Sequence, residues 1–148
     1  MLRVGVTELN IGFENREEAK KRCLEVMEEA SANGVELLVF PEMTLTGFTM
    51  RPWLHAESWD ADNIPDSVSF FMENSRKYKM QMAFGYIRAV MADGSLVYEE
   101  MKEKAYENRL VLVDGENMLL DYAKIHPFSY SGEDKVYRAG EKLAQAQV

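Results

Sequence analysis

The chain holds 148 residues, 47% hydrophobic and 28% charged, with 17 Lys+Arg against 25 Asp+Glu for a formal net charge of −8. That balance suits one globular domain with a real core and excludes a disordered or collagen-like chain, while the acidity makes a phosphate backbone a poor partner, so no nucleic acid is expected. A single cysteine, Cys23, excludes an internal disulfide, and with neither an apolar run near the roughly 20 residues of a membrane span nor a secretory leader pattern, no membrane partner and a cytoplasmic location are expected.

Residues 2–7 read as a short strand. Asn15 with Glu18 three positions later resembles a capping box, Asn standing in for Ser or Thr. Ala19, Cys23, Val26, Met27 and Ala30 then recur at helical spacing. Gly34 stops the pattern, so a helix is predicted over 15–33. Residues 35–40 are apolar on both faces, as in a strand of a covered sheet, and Pro41 ends it. Residues 43–63 read as a loop. Residues 66–79 gather Val68, Phe71, Met72, Ser75 and Tyr78 on one face and read as a second helix. Residues 81–87 form a third strand, and Asp93-Gly94 signals a turn. Two further strands, 106–113 and 118–123, are joined by the hairpin-type link Asp114-Gly115-Glu116-Asn117. The tail, 143–148, alternates weakly, as at the start of another strand. The order β-α-β-α-β-β-β predicts an α/β fold, a mixed sheet with its two main helices on one flank.

Chemistry in an open α/β sheet collects at the carboxyl ends of its strands. Glu42 follows the second strand there, and Lys124 follows the last. A carboxylate in partly desolvated surroundings suits a general base or acid. A lysine beside it would draw its pKa back down and offer positive charge to an oxyanion. On pattern alone, a loop start and a solvated strand end explain the two residues more simply.

The wording around them changes that balance. Residues 34–48, Gly-Val-Glu-Leu-Leu-Val-Phe-Pro-Glu-Met-Thr-Leu-Thr-Gly-Phe, closely resemble the first signature of the nitrilase superfamily, the carbon–nitrogen hydrolases. Tyr122-Ala123-Lys124-Ile125-His126 resembles the second, a Tyr-x-Lys-x-His segment. Glu133, with Tyr137-Arg138-Ala139-Gly140, is similar to the downstream Glu and closing Gly. Tyr106-Glu107-Asn108 looks like the Tyr-Asn lead-in to the strand it begins. The resemblance runs in order from Leu2 to about Gly140.

The resemblance implies a Glu-Lys-Cys catalytic set on an α-β-β-α sandwich. Glu42 would be the general base and Lys124 the stabiliser of the oxyanion. Glu133 would position the substrate or Lys124. A thiolate would attack an amide or nitrile carbon, ammonia or an amine would leave, and the thioester would be hydrolysed. No metal or organic cofactor is implied, and no His/Cys spacing here matches a zinc site. Phe48, Phe128 and Tyr130 are candidate substrate-binding residues, although aromatics near strand ends more often serve the core. An amidase acting on a small-molecule amide is expected. Ala123 and Pro127, where Arg and Leu are common, look more like ω-amidase-type members, which act on small dicarboxylate monoamides. Homo-oligomers are usual in the family.

One departure matters. No cysteine follows Lys124, and family domains are roughly twice this length, about that of a larger single α/β domain. Residues 1–148 therefore read as a single domain, the N-terminal portion of a carbon–nitrogen hydrolase domain, without its nucleophile and inactive alone. Cys23 lies on the apolar stripe of the first helix, where a thiol is inert. A rival expectation is a non-catalytic truncated module of the same fold that binds or assembles, its sheet edge needing cover. A nucleotide-binding domain lacks support, since residues 7–15 hold only Gly12. His126 reads as a packing residue on the Lys124 side, His55 as a surface residue, and the charged run 99–104 as a solvated segment.

Overall fold

The computed structural model describes residues 1–60, 63–90 and 106–148. The Asp93-Gly94 turn and the charged run 99–104 fall outside them. In chain order the elements are β1 (Val4–Val6), α1 (Arg16–Ala32), β2 (Leu37–Val39), α2 (Asp66–Tyr78), β3 (Gln81–Ala89), β4 (Tyr106–Asp114), β5 (Asn117–Ala123) and α3 (Glu133–Val136). Single 3₁₀ turns form at Pro52–Leu54 and Ser129–Ser131. The strands make one mixed five-stranded sheet in sequential order. β1, β2 and β3 run parallel, and β4 and β5 return antiparallel.

Helix α1 starts where its cap predicts, with the Asn15 side chain accepting from the Glu18 N–H at 3.2 Å. Only half of the capping box forms. The Asn15 N–H donates to Gly12, and the Glu18 carboxylate takes Arg22 at 2.9 Å instead. Gly34, at φ +68°, turns the chain out of the helix. Met82, Phe84 and Tyr86 of β3 alternate toward α1 and α2, as do Val111 and Val113 of β4. They pack with Ala19, Cys23 and Met27 of α1 and with Val68 and Phe71 of α2. Phe71 stacks on Phe84 at 4.0 Å between centroids. Both main helices thus cover one face of the sheet. The other face carries Gly85, Ile87, Asn108, Leu110 and Tyr122, and Leu110 there is exposed.

Several expectations shift. Strands β1 and β2 are three residues each rather than six. The regular ladder breaks at their start, where Glu36 before β2 and Leu37 within it both donate to the Arg3 carbonyl. Strand β3 runs two residues further than its apolar pattern. The tail beyond Gly140 forms no strand. His55 is not a surface residue, since its side chain is 14% exposed and lies 3.6 Å from the Glu14 carboxylate. Among the described residues, no helix is long and apolar enough to cross a membrane.

Candidate active site

Glu42 is set by a backbone crossing. After Pro41 the chain turns over β3, where the Thr44 N–H donates to the Gly85 carbonyl at 2.9 Å. The Gly85 N–H returns a bond to Thr44 Oγ1 at 3.2 Å. A Cβ at Gly85 would stand 2.5 Å from the Met43 nitrogen and 3.0 Å from the Glu42 Cα, so only glycine allows so close an approach. Met43 adopts φ +47° to complete the turn, a left-handed conformation costing a non-glycine residue about 1–2 kcal/mol.

Lys124 is set by the strand end. Its N–H donates to the Asn108 carbonyl at 2.9 Å, and its carbonyl accepts from Gly140 at 2.8 Å. Glu133 opens α3, buried at 0% exposure. The segment after β2 thus meets the end of β5 and the start of α3 on the sheet face away from the helices.

The ammonium of Lys124 lies 2.7 Å from Glu42 Oε1 and 2.8 Å from Glu133 Oε2. Asn108 Nδ2 donates to Glu42 Oε1 and, at 2.9 Å, to Glu133 Oε1. The Phe128 N–H adds a bond to Glu133 Oε2 at 2.5 Å. Burial pushes the Glu133 carboxyl toward neutrality, but Lys124, the Phe128 N–H and Asn108 outweigh it and hold its pKa below the ordinary value. Burial likewise works against the Lys124 charge, and the bonds it donates to Glu133 and Glu42 overcome it, raising that pKa. Exposure rises across the cluster, from 0% at Glu133 to 28% at Lys124 and 43% at Glu42. Glu42 is thus the carboxylate that faces outward.

It faces a cavity of about 610 Å³ lined by Glu42, Phe48, Lys124, His126, Pro127, Phe128 and Ser129. The Lys124 ammonium sits 5.8 Å from the Phe48 ring centroid, within cation–π reach. Of the three aromatic candidates, Phe48 and Phe128 line this cavity. Tyr130 is 92% exposed and does not, although its ring lies against Phe128 at 5.9 Å. His126 is exposed rather than packed, on the rim beside Lys124. Cys23 is buried in the helix-side core, and burial pushes its thiol up to about 12. Its apolar stripe predicts that core place, which stands on the other face of the sheet from Lys124 and Glu42. Among the described residues, no group of three or more His, Cys, Asp or Glu could hold a metal ion.

The sequence reading left three supports without a role. Asn108 carried its signal in the Tyr106-Glu107-Asn108 lead-in. Gly85 showed only as a glycine inside a strand pattern, which marks close backbone approach. Tyr137 stood in the Tyr137-Arg138-Ala139-Gly140 segment, with no role of its own. Its hydroxyl donates to the Thr49 carbonyl at 2.6 Å, and its buried ring packs with Met43 and Ile87. Tyr137 thereby ties the segment after Glu42 to the helix carrying Glu133.

A model of the carbon-nitrogen hydrolase family matches residues 3–147. The glutamine-dependent NAD(+) synthetase of Thermotoga maritima is 29% identical over 149 residues, covering 99% of this chain and 23% of that protein. Among solved structures, Nit3 of Saccharomyces cerevisiae, from branch 10 of the nitrilase superfamily, superposes with a TM-score of 0.79 at 15% identity, covering 98% of this chain and 51% of its own. An amidase of the nitrilase superfamily from Nesterenkonia AN1 superposes at 0.73 with 16% identity, covering 95% and 49%. These two likenesses are of fold. The chain spans about half the length of those solved structures.

Proposed function

This chain belongs to the carbon–nitrogen hydrolase family, and from that premise we propose that it forms the N-terminal part of an amide-cleaving domain, an amidase of Glu-Lys-Cys type. The observation that carries this reading is the Lys124 ammonium held between Glu42 and Glu133 at 2.7 and 2.8 Å. Glu42 is the general base and takes the proton of a thiol nucleophile. The thiolate attacks the amide carbon, and the oxyanion that forms draws on the Lys124 charge. The intermediate collapses, Glu42 returns the proton to the leaving nitrogen, and ammonia departs. Glu42 then deprotonates a water that attacks the thioester, which frees the carboxylic acid and restores the thiol. Glu133 holds Lys124 in place throughout.

The thiol comes from outside these 148 residues, because Cys23 is sealed in the helix-side core. Phe48 and Phe128 form the acyl wall. For a dicarboxylate monoamide, His126 is the candidate partner of the distal carboxylate, since Lys124 is committed to Glu42 and Glu133. A reducing cytoplasm suits such a thiol chemistry. One observation favours the rival, a non-catalytic module that binds or assembles: the chain's single thiol is sealed away from the cavity.

The test measures ammonia release from short amides by the native gene product, isolated and characterised by intact mass, and by the 148-residue chain alone. The chain alone should stay at background. The native product should turn over, and Glu42→Gln or Lys124→Met should each abolish it. Turnover surviving both substitutions would overturn the roles. A native product of this chain's own mass, without turnover, would establish the rival.

A further inference from the structure

Asn108 stands at the centre of the site without titrating. It is 4% exposed on β4, opposite Ile87 of β3. Its carbonyl receives the Lys124 N–H, and its amide nitrogen reaches both carboxylates. A side-chain amide has two N–H hydrogens and no others, and here one goes to each glutamate. The opposite orientation of the amide would set Oδ1 against two carboxylate oxygens, so the partners themselves fix which way it points.

Counting donors shows what this achieves. Glu133 receives Asn108, Lys124 and the Phe128 N–H, and Glu42 receives Asn108 and Lys124. None of these groups can accept a hydrogen bond in return, so Glu133 is held as an acceptor at both oxygens and Glu42 at Oε1, its other oxygen left for the cavity. Two carboxylates around one ammonium repel each other. A second cation would offset that but would also quench the base. A neutral double donor offsets it while the cluster keeps its charge of one negative, carried by two glutamates against one lysine.

We infer that Asn108 is a positioning residue that holds Glu42 and Glu133 together as acceptors around Lys124 by giving one amide hydrogen to each. This deepens the amidase reading and rests on it for its purpose, but its test reads the chain without turnover. The 148-residue chain is labelled with ¹⁵N and ¹³C, and the two Asn108 side-chain protons are followed by NMR. Both should resonate downfield of the exposed asparagine amides, and separately. Glu42→Gln should move one of them upfield and Glu133→Gln the other, because a neutral acceptor bonds more weakly. In Asn108→Leu the Glu133 carboxyl should titrate at higher pH than in the wild type, and in Asn108→Asp higher still.

Asn108 protons at ordinary positions, or moved together by either glutamine, would overturn the inference. So would a Glu133 titration unmoved in Asn108→Leu. Should the Asn108 variants not fold, the two glutamine variants decide alone. Failure of ammonia release with these signatures intact would count against the amidase reading and leave the Asn108 assignment standing.

Discussion

Strand β4 touches a charged cluster on each face of the sheet, and the two clusters differ in kind. On the helix side, Arg109 binds Asp121 at 2.6 Å and also Glu107. Arg88 reaches Asp121 at 3.4 Å, and Arg138 approaches Glu107 at 3.9 Å. Every carboxylate there faces two guanidiniums, and Asp121, Glu107 and Arg109 are buried to a similar degree. On the other face, one residue away at Asn108, two carboxylates share one ammonium, and burial falls steadily from Glu133 to Glu42. The first cluster leaves no acid short of a cation, which suits a strut. The second leaves acid in excess and turns its least buried member to a cavity, which suits a base. The direction of the imbalance, more than the number of buried charges, separates scaffold from chemistry.

The largest effect that would sharpen this contrast is on the strut. Arg109→Met takes the nearer guanidinium from two buried carboxylates, leaving them Arg88 at 3.4 Å and Arg138 at 3.9 Å, and should cost about 3 kcal/mol in denaturant unfolding. Replacing Arg88, Glu107, Arg109, Asp121 and Arg138 together by apolar residues should recover most of that loss, because an ion network removed whole strands no charge and can be exchanged for packing. Recovery would fail if the cluster had a role besides support. Next comes Gly85→Ala, whose methyl overlaps the Met43 nitrogen. It should cost about 1–3 kcal/mol as overpacking, and it should weaken the Glu42–Lys124 pair, seen as a moved Lys124 ammonium signal. An unmoved signal would mean that the crossing does not aim Glu42.

Smaller still is the acid dependence of the second cluster. The folded pKa of Glu133 lies below its ordinary value of 4.5, so its stabilisation is complete above that value and is lost as pH falls through the folded one. The unfolding gap between wild type and Glu133→Gln should hold near neutral pH and narrow in the acid range below 4.5. A gap constant through that range would contradict the depressed value. Smallest is Tyr137→Phe, which gives up one hydrogen bond to Thr49 and should cost about 1 kcal/mol.

The parts of the site that lie on strand ends were legible in the sequence. Glu42 and Lys124 each follow a run that reads as a strand, β2 for the first and β5 for the second. Helix α1 was legible from Asn15 to Gly34, since cap, stripe and stop agree. Helix α3 was not, because four residues hold barely one turn and show no period. That is why Glu133 could be placed by resemblance and not by pattern. The meeting of Asn108 with Glu133, 25 residues apart, depends on a chain path that no local signal encodes. His55 was misplaced for the same reason, since its cover comes from Glu14 and Arg16, about 40 residues earlier.

The depth of Cys23 has a practical consequence. A thiol pushed up to about 12 and packed among Ala19 and Met27 is almost wholly protonated and closed to alkylating reagents. The folded chain therefore offers a blank background to iodoacetamide or maleimide. In any assembly that includes it, rapid labelling identifies a sulfur supplied from elsewhere, and slow labelling of Cys23 itself becomes a clock for opening of the helix-side core.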